Sequence, residues 1–251
     1  MFPLRDDIPS RPSRHPPVVV WALVLLNAIV FMYEMQLSEV ELKQFVERFA
    51  LTPASLTAPG GLAQHWTTLF THMFLHGGWL HVIGNLWYLW IFGDNVSDRF
   101  GSGRFLLFYV AGGLAAAALQ VHASPQMQTP MVGASGAIAA VLGAYLVLYP
   151  RARVMTFIPI FIFIKLVSVP AVVWLGLWFL QQYFLGLGSV PDALGTGGVA
   201  YWAHVGGFLF GILVGLGARA REAVGRGPAH DVPPARVERR PHSESGSWPF
   251  I

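Results

Sequence analysis

Six long apolar runs, separated by segments that carry nearly all of the charge, decide what this chain can fold into. They cover residues 17–33, 79–96, 105–121, 133–149, 170–187 and 199–217. A helix needs about 20 apolar residues to cross a hydrocarbon core, and about 17 is the lower edge. Each run meets or approaches that length, so each reads as a spanning helix. The run at 133–149 sits at the edge, which predicts a helix enclosed by the others and starting below the outer surface. Composition agrees, with 54% hydrophobic and only 12% charged residues, where a soluble domain would carry about a quarter charged. The expected fold class is all-α, a polytopic membrane bundle of six helices.

Charge orients the bundle. Six spans put both termini and the 97–104 and 150–169 segments on one face. That face holds fourteen of the sixteen Lys and Arg residues, leaving Lys43 and Arg48 for the other. Basic residues gather on the cytoplasmic side, so both termini are expected there, and the asymmetry supports the count of six. Three regions follow: a cytoplasmic segment at 1–16, a membrane domain at 17–218, and a disordered cytoplasmic tail at 219–251, rich in Arg, Pro, Gly and Ser. Asp6, Asp7 and four prolines precede the first run, and no small-residue cleavage site follows it, so a cleavable signal is not expected. With no organelle-targeting presequence evident, a bacterial inner membrane is the expected location. The basic balance suits an anionic leaflet better than nucleic acid. The chain has no cysteine, which excludes disulfides, thiol catalysis and thiolate metal sites.

Two connecting segments carry their own signals. Residues 34–78 form a long external loop. Its stretch Leu37–Leu51 spaces apolar residues as an amphipathic helix does, and Pro59-Gly60-Gly61 marks a turn. Val154–Ile164 is apolar but too short to span. It reads as interfacial, or as packed against helix ends.

Polar residues inside the spans are costly and usually have a task. Ser135 opens the fourth run in Gly133-Ala134-Ser135-Gly136. His204 lies about five residues into the sixth, in Ala203-His204-Val205-Gly206-Gly207. His81 and Asn85 fall in the first two turns of the second and, at i and i+4, share one face. These three spans all run inward. At about 1.5 Å rise per residue, the four side chains share one layer. His204 also continues a stripe with Gly207, Gly211 and Gly215, which lets helix backbones approach closely. Gly133 and Gly136 flank the serine and supply a second smooth surface. A serine needs an adjacent base to become nucleophilic, so Ser135 and His204 are the candidate pair. Taken singly, each residue has a plainer explanation: a serine bonding its own helix, a histidine at the interface, glycines for packing. The combination at matched depth favours chemistry.

Rival sites are weaker. The cluster His72, His76 and His81, two of them at i, i+4, suggests a metal, but no His-Glu-x-x-His motif is present and no acidic residue lies between Glu47 and Asp94. No metal and no cofactor are expected. Asp94 and Asp98, beside Arg99, read as a solvated helix end. A transporter would show inverted repeats or mid-membrane charges, and neither is evident.

These motifs resemble those of the rhomboid family of intramembrane serine proteases, over about residues 65–217. Gly133-Ala134-Ser135-Gly136 is similar to the family's nucleophile motif. Ala203-His204 with Gly207 and Gly211 is similar to its Ala-His-x-x-Gly-x-x-x-Gly helix, and His81 with Asn85 to its His-x-x-x-Asn pair. His76-Gly77-Gly78-Trp79-Leu80-His81 is also typical. The resemblance implies a six-span rhomboid bundle and a Ser135–His204 dyad without a third carboxylate. It also implies an oxyanion site made by His81, Asn85 and the Ser135 backbone N–H. The implied substrates are single-span membrane proteins, cut in or near their transmembrane segment. A catalytically silent relative that binds membrane proteins is the alternative. Two positions depart from the family pattern. Trp66 is followed by Thr67 rather than arginine, and the position four residues after the serine is Ala139 rather than an aromatic. The loop's anchoring and the wall beside the histidine are therefore expected to be built otherwise.

Overall fold

A computed structural model describes residues 2–8, 17–160, 163–189 and 198–225. Seven helices of more than ten residues organise the described chain: α1 (Val18–Glu34), α2 (Glu39–Phe49), α3 (Trp79–Phe100), α4 (Ser102–Ala123), α5 (Ser135–Leu148), α6 (Ala171–Gly188) and α7 (Tyr201–Gly225). Three of them, α4, α6 and α7, are long and apolar enough to cross a membrane; α1 and α5 are shorter apolar helices. Large side chains such as Leu80, Leu107 and Leu213 point outward on α3, α4 and α7. Apolar surface on this scale needs an apolar surrounding, and the chain is a multi-pass membrane protein.

At the centre stands α5. Every residue from Ala137 to Tyr145 is buried, as the edge-length run at 133–149 predicts. At about 1.5 Å per residue its 14 residues fall short of a ~30 Å core. It is therefore enclosed by α3, α4 and α7, and its start lies inside the protein. The α5–α7 seam is built on glycine. A Cβ at Gly207 would collide with the Gly136 carbonyl, and one at Gly211 with the Ala140 carbonyl. No other residue allows backbones that close.

The external loop folds on itself. Helix α2 starts with a capping box, in which the Ser38 hydroxyl and the Glu41 carboxylate satisfy each other's backbone N–H groups. It is the amphipathic helix expected over Leu37–Leu51. Gly60, at φ +74°, makes the turn expected at Pro59-Gly60-Gly61. Short helical turns at Pro53–Thr57, Gly61–His65 and Thr68–Thr71 lead to a 3-10 turn at His72–Phe74. Leu51 then pairs with Met131 through two backbone hydrogen bonds, which ties the loop to the segment entering α5.

The structure is mostly helical but not all-α. The 153–170 segment forms an antiparallel hairpin, β2 (Arg153–Ile160) and β3 (Phe163–Pro170). The amino-terminal β1 (Phe2–Asp6) adds to it in the order β1-β2-β3. The expectation of an all-α chain is corrected here: the apolar stretch Val154–Ile164, too short to span, is part of a strand pair, and the amino-terminal segment contributes a strand. Val154, Thr156, Ile158, Val167 and Val169 are β-branched, which favours extended chain, and a strand covers more length per residue than a helix. β1 lies along α3: the Trp87 Nε1–H donates to the Pro3 carbonyl at 2.7 Å, and the Asn95 amide donates to the Asp6 carboxylate at 2.7 Å. Helix α7 continues to Gly225, past the expected boundary at 218. The rest of the expected tail, 226–251, lies outside the described residues, as does most of 1–16.

Candidate active site

The approach to Ser135 is set by one glycine. Gly133 sits at φ +118°, open to glycine alone, and its N–H donates to the His72 carbonyl at 2.9 Å. A Cβ there would lie 2.6 Å from His81 Nε2 and 3.4 Å from Asn85 Nδ2. The segment turns at Gly133, and Ser135 becomes the first residue of α5.

On the neighbouring helix, His204 occupies the first turn of α7. The Ala203 N–H donates to Gln120 Oε1 at 3.1 Å, which anchors that turn to α4. The glycine seam then brings the two helix starts together. His204 Nε2 lies 2.9 Å from Ser135 Oγ, well within hydrogen-bond reach. The four residues singled out from sequence therefore converge: His204 contacts the serine, and His81 and Asn85 crowd Gly133 two residues before it.

Two nitrogens face the Gly133 turn, His81 Nε2 and Asn85 Nδ2. The Gly77 N–H points at His81 Nδ1 at 3.4 Å, so Nδ1 acts as acceptor and Nε2, which faces Gly133, carries the hydrogen. Asn85 Nδ2 is buried without a hydrogen-bond partner among the described residues. A buried donor left unpaired costs free energy, and an orphan donor of this kind can accept a negative charge that forms beside it.

The histidines of the rival metal site stand in different settings. His72 Nδ1 donates to the Thr68 carbonyl at 2.7 Å. The His76 ring stands edge-on to His81, with centroids 5.2 Å apart, and its backbone N–H donates to the buried Glu34 carboxylate at 3.2 Å. Burial pushes both rings down to about 4, which keeps them neutral. Asp94 and Asp98 lie toward the far end of α3, away from the serine.

Two neighbours of His204 are not evident from the sequence, and both lie on α6. The Trp178 ring packs over the imidazole, with centroids 5.8 Å apart and planes 36° from parallel. It supplies the wall that Ala139 does not. Gln182 is buried and places Oε1 2.7 Å from His204 Nδ1. The one signal for it in the sequence is Gln181-Gln182, an amide pair inside an otherwise apolar run.

Comparison with known proteins gives the family. The Rhomboid domain model matches residues 63–221, more than half of the chain. The chain belongs to the rhomboid family. It is 26% identical to Rhomboid protein 1, mitochondrial, of Saccharomyces cerevisiae over 206 residues, which is 80% of this chain and 53% of that protein. It is 41% identical to rhomboid protease GluP of Bacillus subtilis over 98 residues, 39% of this chain and 18% of that one. It is 28% identical to the putative rhomboid protease YdcA of the same bacterium over 130 residues, 52% of this chain and 61% of that protein. The chain spans about half the length of the yeast relative. The rhomboid family includes both serine proteases and inactive relatives.

Proposed function

We propose that this rhomboid is an intramembrane serine endopeptidase that cuts single-span membrane proteins in or near their transmembrane segment. The observation that carries this reading is the 2.9 Å contact between His204 Nε2 and Ser135 Oγ, made where two helix starts meet. Ser135 Oγ attacks the scissile carbonyl carbon as its proton passes to Nε2. The tetrahedral oxyanion accepts hydrogen bonds from Asn85 Nδ2, His81 Nε2 and the Ser135 N–H. His204 returns the proton to the leaving amine, and water then releases the acyl group by the same route in reverse. No metal or cofactor enters this scheme. The bilayer and transmembrane substrates are its partners, and nucleic acid is not.

The topology belongs to the same proposal. α1, α3, α4, α5, α6 and α7 are the six spans, with both termini on the face rich in Lys and Arg, the cytoplasmic side of a bacterial inner membrane. The charge asymmetry supports this orientation.

Cleavage of a tagged single-span substrate in proteoliposomes tests the reading. Ser135→Ala and His204→Ala should each abolish cleavage, a loss of more than about 10⁴-fold by analogy with other serine hydrolases. Wild-type protein that cuts no substrate, and whose Ser135 resists fluorophosphonate, would identify a silent relative that only binds membrane proteins.

A further inference from the structure

We propose that Gln182 is a positioning residue of the reaction, a third member that holds His204 in the tautomer able to accept the serine proton. This rests on the reading of Ser135 and His204 as nucleophile and base. An imidazole has two ring nitrogens, and in the neutral ring only one carries hydrogen. A base aimed at Ser135 works only if Nε2 is bare and Nδ1 is protonated. Gln182 Oε1, 2.7 Å from Nδ1, is a pure acceptor. It therefore stabilises the Nδ1–H form and leaves the Nε2 lone pair facing Ser135 Oγ at 2.9 Å. When the ring takes up the serine proton, the same carbonyl accepts from an imidazolium, and hydrogen bonds to charged groups are about twice as strong.

The setting supports a dedicated role. Gln182 is buried in α6, whereas its neighbour Gln181 is exposed. A buried amide in an apolar helix is costly unless bonded, and the Oε1 partner here is the base itself. Trp178 and Gln182 are i and i+4, on one face of α6. The tryptophan ring covers the imidazole plane while the amide holds its edge. One helix thus fixes both the tilt and the rotation of His204. The amide is neutral, so it orders the ring without a second charge inside the membrane.

Steady-state cleavage in proteoliposomes, from neutral to alkaline pH, tests this with three variants. Gln182→Met keeps length and removes the acceptor; kcat should fall about ten- to a hundredfold with KM unchanged. Gln182→Glu presents only acceptor oxygens once ionised, and at the alkaline end of the range it should restore most of the lost kcat. Gln181→Met should behave as wild type. Gln182→Met cutting as fast as wild type would overturn the proposal while leaving the Ser135–His204 reading intact. So would equal losses in Gln182→Met and Gln182→Glu at alkaline pH, or a loss carried by KM, since either marks a packing role. Wild-type protein that cuts nothing would overturn both.

Discussion

The two ends of the bundle use the same kinds of polar side chain in opposite ways. At the end that receives β1, side chains from several elements bond one another, although Trp174 Nε1 in the first turn of α6 is buried without a partner among the described residues. The Asp6 carboxylate accepts from Tyr145 at 2.5 Å and from Asn95 at 2.7 Å. The Tyr149 hydroxyl donates to the Asn95 carbonyl at 2.8 Å, and the Arg99 Nε–H donates to Glu222 at 2.6 Å. At the serine end, the Asn85 amide and both His76 ring nitrogens are buried without partners among the described residues. Satisfied polar groups hold helices in place, whereas an unsatisfied one is a standing cost that persists where a ligand or transition state will meet it. On the proposed reading, the orphaned Asn85 amide is the one that a reacting group would meet.

The sharpest way to break this contrast is to remove the orphan donor. Asn85→Ala should lower kcat about 100- to 1000-fold, measured on the same tagged substrate, while the protein stays folded. Cleavage at the wild-type rate would mean that Asn85 is merely packed.

Acid should separate the ends next. His72 and His76 are pushed from 6.5 down to about 4, chiefly by burial, with His81 adding to the effect on His76. Between those values the unfolded chain binds protons that the folded protein refuses. The contribution of each ring is therefore complete above pH 6.5 and falls as pH drops toward 4, by up to about 3 kcal/mol. Asp6 has the opposite sign. Burial raises its carboxyl despite the opposing Tyr145 hydrogen bond. Its contribution is present on the acid side and is lost as pH rises through the raised value. In thermal unfolding in detergent as a function of pH, His72→Gln, which keeps a donor for the Thr68 carbonyl, should therefore lose less stability than wild type, or gain more, as pH falls from 6.5 to 4. An unchanged slope would show that His72 does not carry it.

The smallest effect should come from the paired end. Tyr145→Phe removes one donor to Asp6 and should cost about 1–2 kcal/mol of stability with no change in kcat. A large fall in kcat would erase the distinction between the ends.

Much of the serine end is legible in the sequence. Ser135, His204, His81 and Asn85 can be put in one layer because depth in a bilayer follows from residue count along a helix. The glycine stripe announces the close α5–α7 seam because only side-chain size is at issue. Gln182 and Trp178 are not legible as site residues. Their i, i+4 spacing shows that they share a face, but not which helix that face meets. The sheet is hidden for a related reason. β1 pairs with a strand about 150 positions away, and an apolar run of about eleven residues looks the same whether it lies flat, packs or pairs.

By itself, then, the sequence determined the medium, the helical runs, the polar residues that converge at the starts of three of them, and the positions where backbones must touch. Each depends on local composition or on counting along one helix. Tertiary structure decided the partners: the acceptor behind His204, the ring that covers it, the donor beside Gly133, and the strand that the amino terminus adds to 153–170. Those contacts join residues remote in the chain, and only the packing of one helix face against another selects them.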